Sequence, residues 1–397
     1  LKPALFRARV AGQAVVRAIR SEGDFAVMRV TIERSAFLKA LTHVQSVVER
    51  RNTIPILSNV LLQAGGAELK LTATDLDIEI VESVAAEVAK GGATTVPAHM
   101  LYDIVRKLPD GAQLELEQAG DGQRVSIFAG RSRFSLQALP HEDFPDLATG
   151  DFPNSFAVSA GDLKGLIEKT RFAISTEETR YYLNGIYFHE VPAASMLRAV
   201  ATDGHRLAQA QIARPEGARG MPGVIVPRKT VLEVVKLFEG EEGAVDVSLS
   251  ASKIRFAAGD LVLTSKLIDG TFPDYERVIP RNNDKKLELD ARSFAAAVDR
   301  VSTISMEKGR AVKLQIGGNK VTLTVNNPDS GSAEEEVACS YDADPIEIGF
   351  NSRYLMDVAQ QVKSDGMEFL LADAGSPTII RDPADELALY VLMPMRV

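Results

Sequence analysis

Residues 69–84 read LKLTATDLDIEIVESV and residues 197–212 read LRAVATDGHRLAQAQI, two stretches in which one Thr-Asp step interrupts the same alternation of apolar and polar side chains. Thr74-Asp75 and Thr202-Asp203 lie 128 positions apart, Phe144-Pro145-Asp146 and Phe272-Pro273-Asp274 also 128, and Pro97 and Pro227 130. Three anchors at nearly one offset mark an internal repeat, and a repeat fixes architecture before any motif is weighed. Outward from these stretches, the first copy runs from FLKALTHVQSVV at Phe37 through TTVPAHMLYDIVRKLPDG to RVSIFAGRSRFSLQALPHEDFPDL. The second runs from LKGLIEKTRFAIS at Leu163 through VIVPRKTVLEVVKLFEG to KIRFAAGDLVLTSKLIDGTFPDY. A fainter third copy comprises SFAAAVDRVSTI from Ser293, VTLTVNNPDS, IEIGFNSRYLMDVAQQVKSDG and ELALYVLMPMRV; it keeps the order of elements without the TD and FPD signatures.

Each copy reads helix, strands, helix, strands. The strand runs have a period of two with Gly, Asn and Asp turns, the mark of antiparallel meanders, and Ser35, Asp162 and Ser293 sit at or near helix N-caps. The spacing predicts an α+β chain of three similar domains, each with two helices packed on antiparallel sheets. The domains span 28–147, 154–277 and 286–397, with joints at 147–154 (LATGDFPN) and 278–286 (VIPRNNDKK). A unit near 125 residues is too long for a solenoid repeat, so each copy is a self-standing domain, and three in a row suggest a curved or ring-like array.

Composition bounds the function. The 397 residues include 45 basic and 54 acidic ones, a net charge of −9, with 45% hydrophobic and 6% aromatic content, which is globular rather than disordered or fibrous. A single cysteine, Cys339, excludes an internal disulfide and multi-cysteine metal sites and points to a reducing, cytoplasmic compartment. No run of 18 apolar residues is present, so no membrane partner is expected. Residues 1–27 carry five basic and two acidic residues. Without an initiating Met or a long apolar core they read as an extension ahead of the fold, disordered or added in expression, rather than as a basic amphipathic address.

An acidic chain meets nucleic acid only through local clusters of cations. The helical segments offer Arg34, Lys39, Arg50, Arg51, Arg106 and Lys107 in the first repeat; Lys164, Lys169, Arg171, Arg228, Lys229 and Lys236 in the second; Arg292, Arg300, Arg353 and Lys363 in the third. Acidic residues gather in strands and loops instead. A basic helical face and an acidic strand face would reconcile net charge with phosphate contact, although surface helices carry Lys and Arg in any case. Arg180-Tyr181-Tyr182 suits phosphate contact plus base stacking, unless one tyrosine belongs to the core. Catalysis is not expected. TDGH at 202–205 places Asp203 near His205, but the first repeat has the same TD without a histidine, so TD reads as a turn cap. The other histidines stand far apart, and no nucleotide loop, HExxH or nucleophile elbow is present. No cofactor or metal is expected.

The segments TTVPAHMLYDIVRKLP, GRSRFSLQALPHEDFPDL, TRYYLNGIYF, VATDGHRLA, VIVPRKTVLEVVKLFEG, LTSKLIDGTFPDYERVIP and YVLMPMRV resemble the bacterial DNA polymerase III beta subunit family of replicative sliding clamps, from Met28 to Val397. The resemblance implies a head-to-tail homodimer, six domains in a ring, with helices lining a hole for duplex DNA. It implies a non-catalytic processivity factor whose partners are the polymerase III alpha subunit, clamp-loader subunits, other polymerases and repair proteins. Their short peptides would enter a pocket of Leu183, Thr202, Gly204, His205, Arg206, Leu207, Pro273, Arg277, Val278, Asn351, Tyr354, Met393, Pro394, Met395 and Arg396. The MPMRV tail, read alone, is a frayed end; family position makes it pocket wall. Around Gly375-Ser376-Pro377 the sequence departs from the family pattern. DNA contact falls on Arg51, Arg180, Tyr181, Tyr182, Arg228 and Lys229. The subunit interface would set Arg131, Arg133, Phe134 and Leu136 of one chain against Thr303, Ile304, Glu334, Glu335 and Glu336 of another.

Overall fold

Alternation builds the first strand. In Met28–Glu33, residues 28, 30 and 32 are buried while their neighbours stay half-exposed, as a strand covered on one face requires. The computed structural model describes residues 28–147, 150–305 and 310–397; the basic extension 1–27 lies outside them. The described residues pack into two compact units. One holds the described residues to Asp151 together with Arg255–Ser265, the other Phe152–Ile254 and Lys266–Val397.

In the first unit a five-stranded sheet runs in the order Glu87–Lys90, Met28–Glu33, Gln113–Gln118, Arg124–Ala129, Ser132–Gln137. A second antiparallel set joins Gly92–Pro97, Asn59–Gly65, Glu68–Thr74 and Ile78–Ala85, and residues 261–265 pair with the last of these. Helix α1 (Arg34–Val44) buries Phe37, Ala40, Leu41 and Val44, and helix α2 (Ala98–Lys107) buries Ala98, Leu101 and Val105. Both stripes follow the three-and-four spacing that puts one helix face on a core.

The second unit carries α3 (Ala160–Glu168), α4 (Arg228–Leu237), α5 (Ala291–Ser302) and α6 (Ser352–Ala359). Its twelve-stranded sheet unites repeats two and three, because Arg206–Ala213 lies antiparallel to Ala388–Leu392 with Leu207 opposite Val391. Phe294 of α5 meets Phe369 edge-on, centroids 5.4 Å apart, the geometry aromatic quadrupoles favour.

Helix caps lie slightly upstream of the sequence reading. Carboxylates of Glu33 and Asp290 and the Ser159 hydroxyl accept from the amides of Ser35, Ser293 and Asp162 respectively. The residues expected as caps are therefore the capped ones, since a side chain satisfies the orphan N–H two or three positions on. Among the described residues no helix is long and apolar enough to cross a membrane.

Candidate functional site

The Thr-Asp step folds identically in both repeats. Thr202 Oγ1 donates to the Arg206 carbonyl at 2.7 Å and accepts from the Gly204 amide, while Asp203 Oδ1 accepts from the amides of His205 and Arg206 at 2.9 and 3.0 Å. In the first repeat Thr74 Oγ1 donates to the Ile78 carbonyl at 2.8 Å and accepts from Leu76, and Asp75 Oδ1 accepts from Asp77 and Ile78. Side-chain oxygens thus replace the backbone partners that a sharp reversal strips away. The carboxylate of Asp203 thus serves this turn and Arg206 Nε, at 3.1 Å.

The corner residue has positive φ in each copy, 78° at Leu76 and 89° at Gly204. A Cβ on Gly204 would stand 2.8 Å from Arg180 Nη1, so that guanidinium, expected on DNA, lies at the turn. Gly204→Ala is expected to destabilise the unit by about 1–2 kcal/mol, the cost of an L side chain in the left-handed region, and to displace Arg180; Gly204→Asn, which tolerates that region, is expected to cost less. Urea unfolding of both variants checks the order.

Arg206 is the hub beneath this turn. Its side chain is only 8% exposed. Nη1 donates to Asp357 Oδ2 of α6 and Nη2 to the Phe172 carbonyl, both at 2.5 Å, and the guanidinium carbon lies 4.2 Å from the Tyr354 ring centre and 5.2 Å from that of Phe172. A buried cation is tolerable only when paired and hydrogen-bonded like this. Burial pushes the Tyr354 phenol above its ordinary range.

An apolar cluster of Leu183, Val200, Leu207, Ile225, Phe272, Tyr275 and Val391 lies below. Tyr275 is fixed from two sides: Arg198 Nη1 donates to its hydroxyl at 2.9 Å, and that hydroxyl lies 2.8 Å from His189 Nε2. His189 Nδ1 faces the Glu190 carbonyl and so carries a proton, and burial lowers the imidazole pKa. This clamp starts the short 3₁₀ turn Tyr275–Val278. Arg277 there pairs with Asp274 at 2.6 Å, and Val278 stands 51% exposed, as does Met393 at 42%. The C-terminal tail is not frayed. The Met393 amide donates to the His205 carbonyl at 2.9 Å and the Met395 amide to the Gly349 carbonyl at 2.8 Å. Asn351 caps α6 by accepting from the Arg353 amide. The departing segment 375–377 is a tight turn, with Asp373 Oδ1 accepting from Gly375 and Ser376 and Asn283 donating to the Pro377 carbonyl.

The remaining residues fall out unevenly. Tyr181 is 54% exposed, whereas Tyr182 packs on the apolar cluster, so only the first of the pair offers a free ring face. Lys169 is taken by Asp385 at 2.5 Å, Arg34 by Asp110 at 2.6 Å and Arg300 by Glu335. Lys39, Arg50, Arg51, Lys107, Arg171 and Arg228 are exposed. Leu136, 5% exposed, faces the core of its own unit, because on Ser132–Gln137 it shares the inward parity of Phe134. Ile304 gives its carbonyl to Asn327, and Glu336 pairs with Lys320. Sequence reasoning missed Asp357, although its spacing of three from Tyr354 puts both on one face of a helix. It also missed Phe172, Arg198 and His189; nothing in the local pattern signals them.

Family models of the DNA polymerase III beta subunit match the chain in three consecutive parts: the N-terminal domain over residues 28–148, the central domain over 157–274 and the C-terminal domain over 276–396. The beta sliding clamp of Caulobacter vibrioides is 57% identical over 372 residues, covering 93% of this chain and 100% of the relative, and that of Escherichia coli K12 is 42% identical over 373 residues with the same coverage. The crystal structure of the Bartonella birtlesii sliding clamp bound to griselimycin superposes with a TM-score of 0.91 at 57% identity, over 93% of this chain and all of that one. With three domain matches in register and relatives covered from end to end, the chain belongs to the DNA polymerase III beta subunit family, the beta sliding clamps.

Proposed function

We propose that this clamp, a non-catalytic processivity subunit, closes as a head-to-tail homodimer and holds duplex DNA by weak cationic contacts. Partner peptides would dock where repeats two and three meet. Loose phosphate contacts without base readout allow sliding, and closure supplies residence time that affinity does not. Tethering then raises the polymerase concentration at the primer end. The carrying observation is the junction itself: exposed Val278 ends the turn that begins at Tyr275 of the buried apolar cluster, and exposed Met393 is bonded to His205 in a turn whose polar groups are internally satisfied. An adaptable methionine beside apolar side chains suits several hydrophobic anchors. The occupants would be peptides of the polymerase III alpha subunit, clamp-loader subunits, other polymerases and repair proteins. Griselimycin, bound by the Bartonella birtlesii clamp, serves as the probe for this cleft. On the DNA side we assign Arg51, Arg228, Lys229 and Tyr181. Arg180, beside Gly204, is assigned to the pocket turn. Domain limits of 28–147, 154–277 and 286–397 go with this reading, as does a cytoplasmic setting, where a thiol whose ionisation is suppressed by burial stays reduced.

The test is retention on nicked circular DNA after loading. Wild-type protein is expected to stay on circles and leave when they are linearised. The double variant Arg51→Glu/Arg228→Glu is expected to lower the slope of log affinity against log salt by about 2, near one unit per lost phosphate contact, and to leave griselimycin binding unchanged. Equal retention on circles and linear DNA would falsify the encircling reading.

A further inference from the structure

We propose that Asp357 is a positioning residue of the peptide pocket: by holding Arg206 Nη1 it locks the guanidinium against the Tyr354 ring and so fixes that ring as pocket wall. This rests on reading the cleft as a peptide site. Arg206 was expected to contact the ligand, but each of its three guanidinium nitrogens already faces an acceptor: Asp203, Asp357 and the Phe172 carbonyl. What it offers instead is a flat, fixed support. A planar fork held at three corners keeps a stacked aromatic in one orientation, and a pre-set wall spares the ligand the cost of ordering it. Asp357 and Tyr354 sit three residues apart on α6, so one helix supplies both the wall and the anchor of its support. The other two contacts come from the second repeat, and Asp357 is thus the link that ties the guanidinium to the third.

The first repeat supplies an internal control. Its Thr74-Asp75 turn matches the pocket turn bond for bond, yet the position of Arg206 is held by Ile78, 2% exposed and uncharged. The turn alone needs no cation. The Arg206–Asp357 pair is therefore an addition at the one turn that faces the proposed pocket.

Calorimetric titration of the full-length chain with griselimycin tests this. Asp357→Asn keeps side-chain volume and is expected to weaken binding about tenfold, the scale of losing one charged partner of a part-buried pair; Asp357→Glu is expected to recover most of it. Because the effect passes through the ring, Asp357→Asn/Tyr354→Ala is expected to bind no more weakly than Tyr354→Ala alone. Additive losses, unchanged affinity in Asp357→Asn, or no recovery in Asp357→Glu overturn the positioning role. So does loss of the native thermal midpoint in Asp357→Asn, which would make the residue a folding determinant. A wild-type chain that does not take up griselimycin overturns the pocket reading and this role with it.

Discussion

A chain ending at Leu392 is expected to lose griselimycin affinity by about a hundredfold or more, the scale of deleting an interface hot spot, while its thermal midpoint falls by only a few degrees. The tail is fastened by two backbone hydrogen bonds, from the Met393 amide to the His205 carbonyl and from the Met395 amide to the Gly349 carbonyl. Bonds of that kind contribute about 1 kcal/mol each to stability, and the tail's side chains stay half-buried or exposed, so the core beneath does not depend on them. Binding does: Met393 is an exposed apolar group beside the His205 turn. A point variant makes the same test without shortening the chain. A Cβ on Gly349 would stand 2.3 Å from Val397 Cγ1 and 2.7 Å from the Met395 carbonyl oxygen, closer than van der Waals contact allows, and only one of those atoms belongs to a flexible side chain. Gly349→Ala is therefore expected to push the tail off the strand Ile346–Asn351 and reproduce much of the truncation. Calorimetry and thermal unfolding on both variants decide; a truncated chain that binds like the full one removes the tail from the site.

That tail shows where reading the sequence stops. Period-two alternation and the 128-residue offset exposed the repeats, the turn and the sheets, because these are local regularities written in residues close together in the chain. MPMRV has no period, and its partners His205 and Gly349 lie far upstream, so its docking leaves no local trace. The pairing of charges is hidden for the same reason. Arg34 begins one helix and Lys169 ends another as its C-cap, but the carboxylates that engage them, Asp110 and Asp385, are remote in sequence. Arg206 was assigned to the pocket by family position, yet its hydrogen bonds are internal, since Asp357 and the Phe172 carbonyl reach it only after the chain has folded. Alternation tells which face a side chain occupies, not which partner waits there.

Ring closure should be the most charge-sensitive property of the clamp. Ser132–Gln137 is the last strand of its sheet, paired only with Arg124–Ala129 among the described strands. In Gly331–Tyr341, residues 331–338 pair with Lys320–Asn327, while only 339–341 pair on the other side, with Lys285–Asp290. Two half-free edges of this kind invite an intermolecular strand pairing, and a closed assembly hides them. The rim charges are opposite but unequal in freedom. Glu335 is held by Arg300, which keeps its carboxyl below the usual range, and Glu336 by Lys320, leaving Glu334 exposed and without an ion pair among the described residues. On the other edge Arg133 is exposed, and its guanidinium lies over the Phe128 ring, 5.2 Å from the centroid. Reversing Arg131 and Arg133 to Glu would set like charges face to face, at a cost of several kcal/mol, so the dimer dissociation constant is expected to rise about a hundredfold or more. Sedimentation should then find monomers at micromolar concentration, and retention on circular DNA should be lost with griselimycin binding intact. Adding Glu334→Lys to the reversed chain is expected to restore part of the dimer, with the gain shrinking as salt is raised. A doubly reversed protein that remains dimeric would remove these edges from the interface, because no exposed strand rim tolerates two added repulsions without loosening.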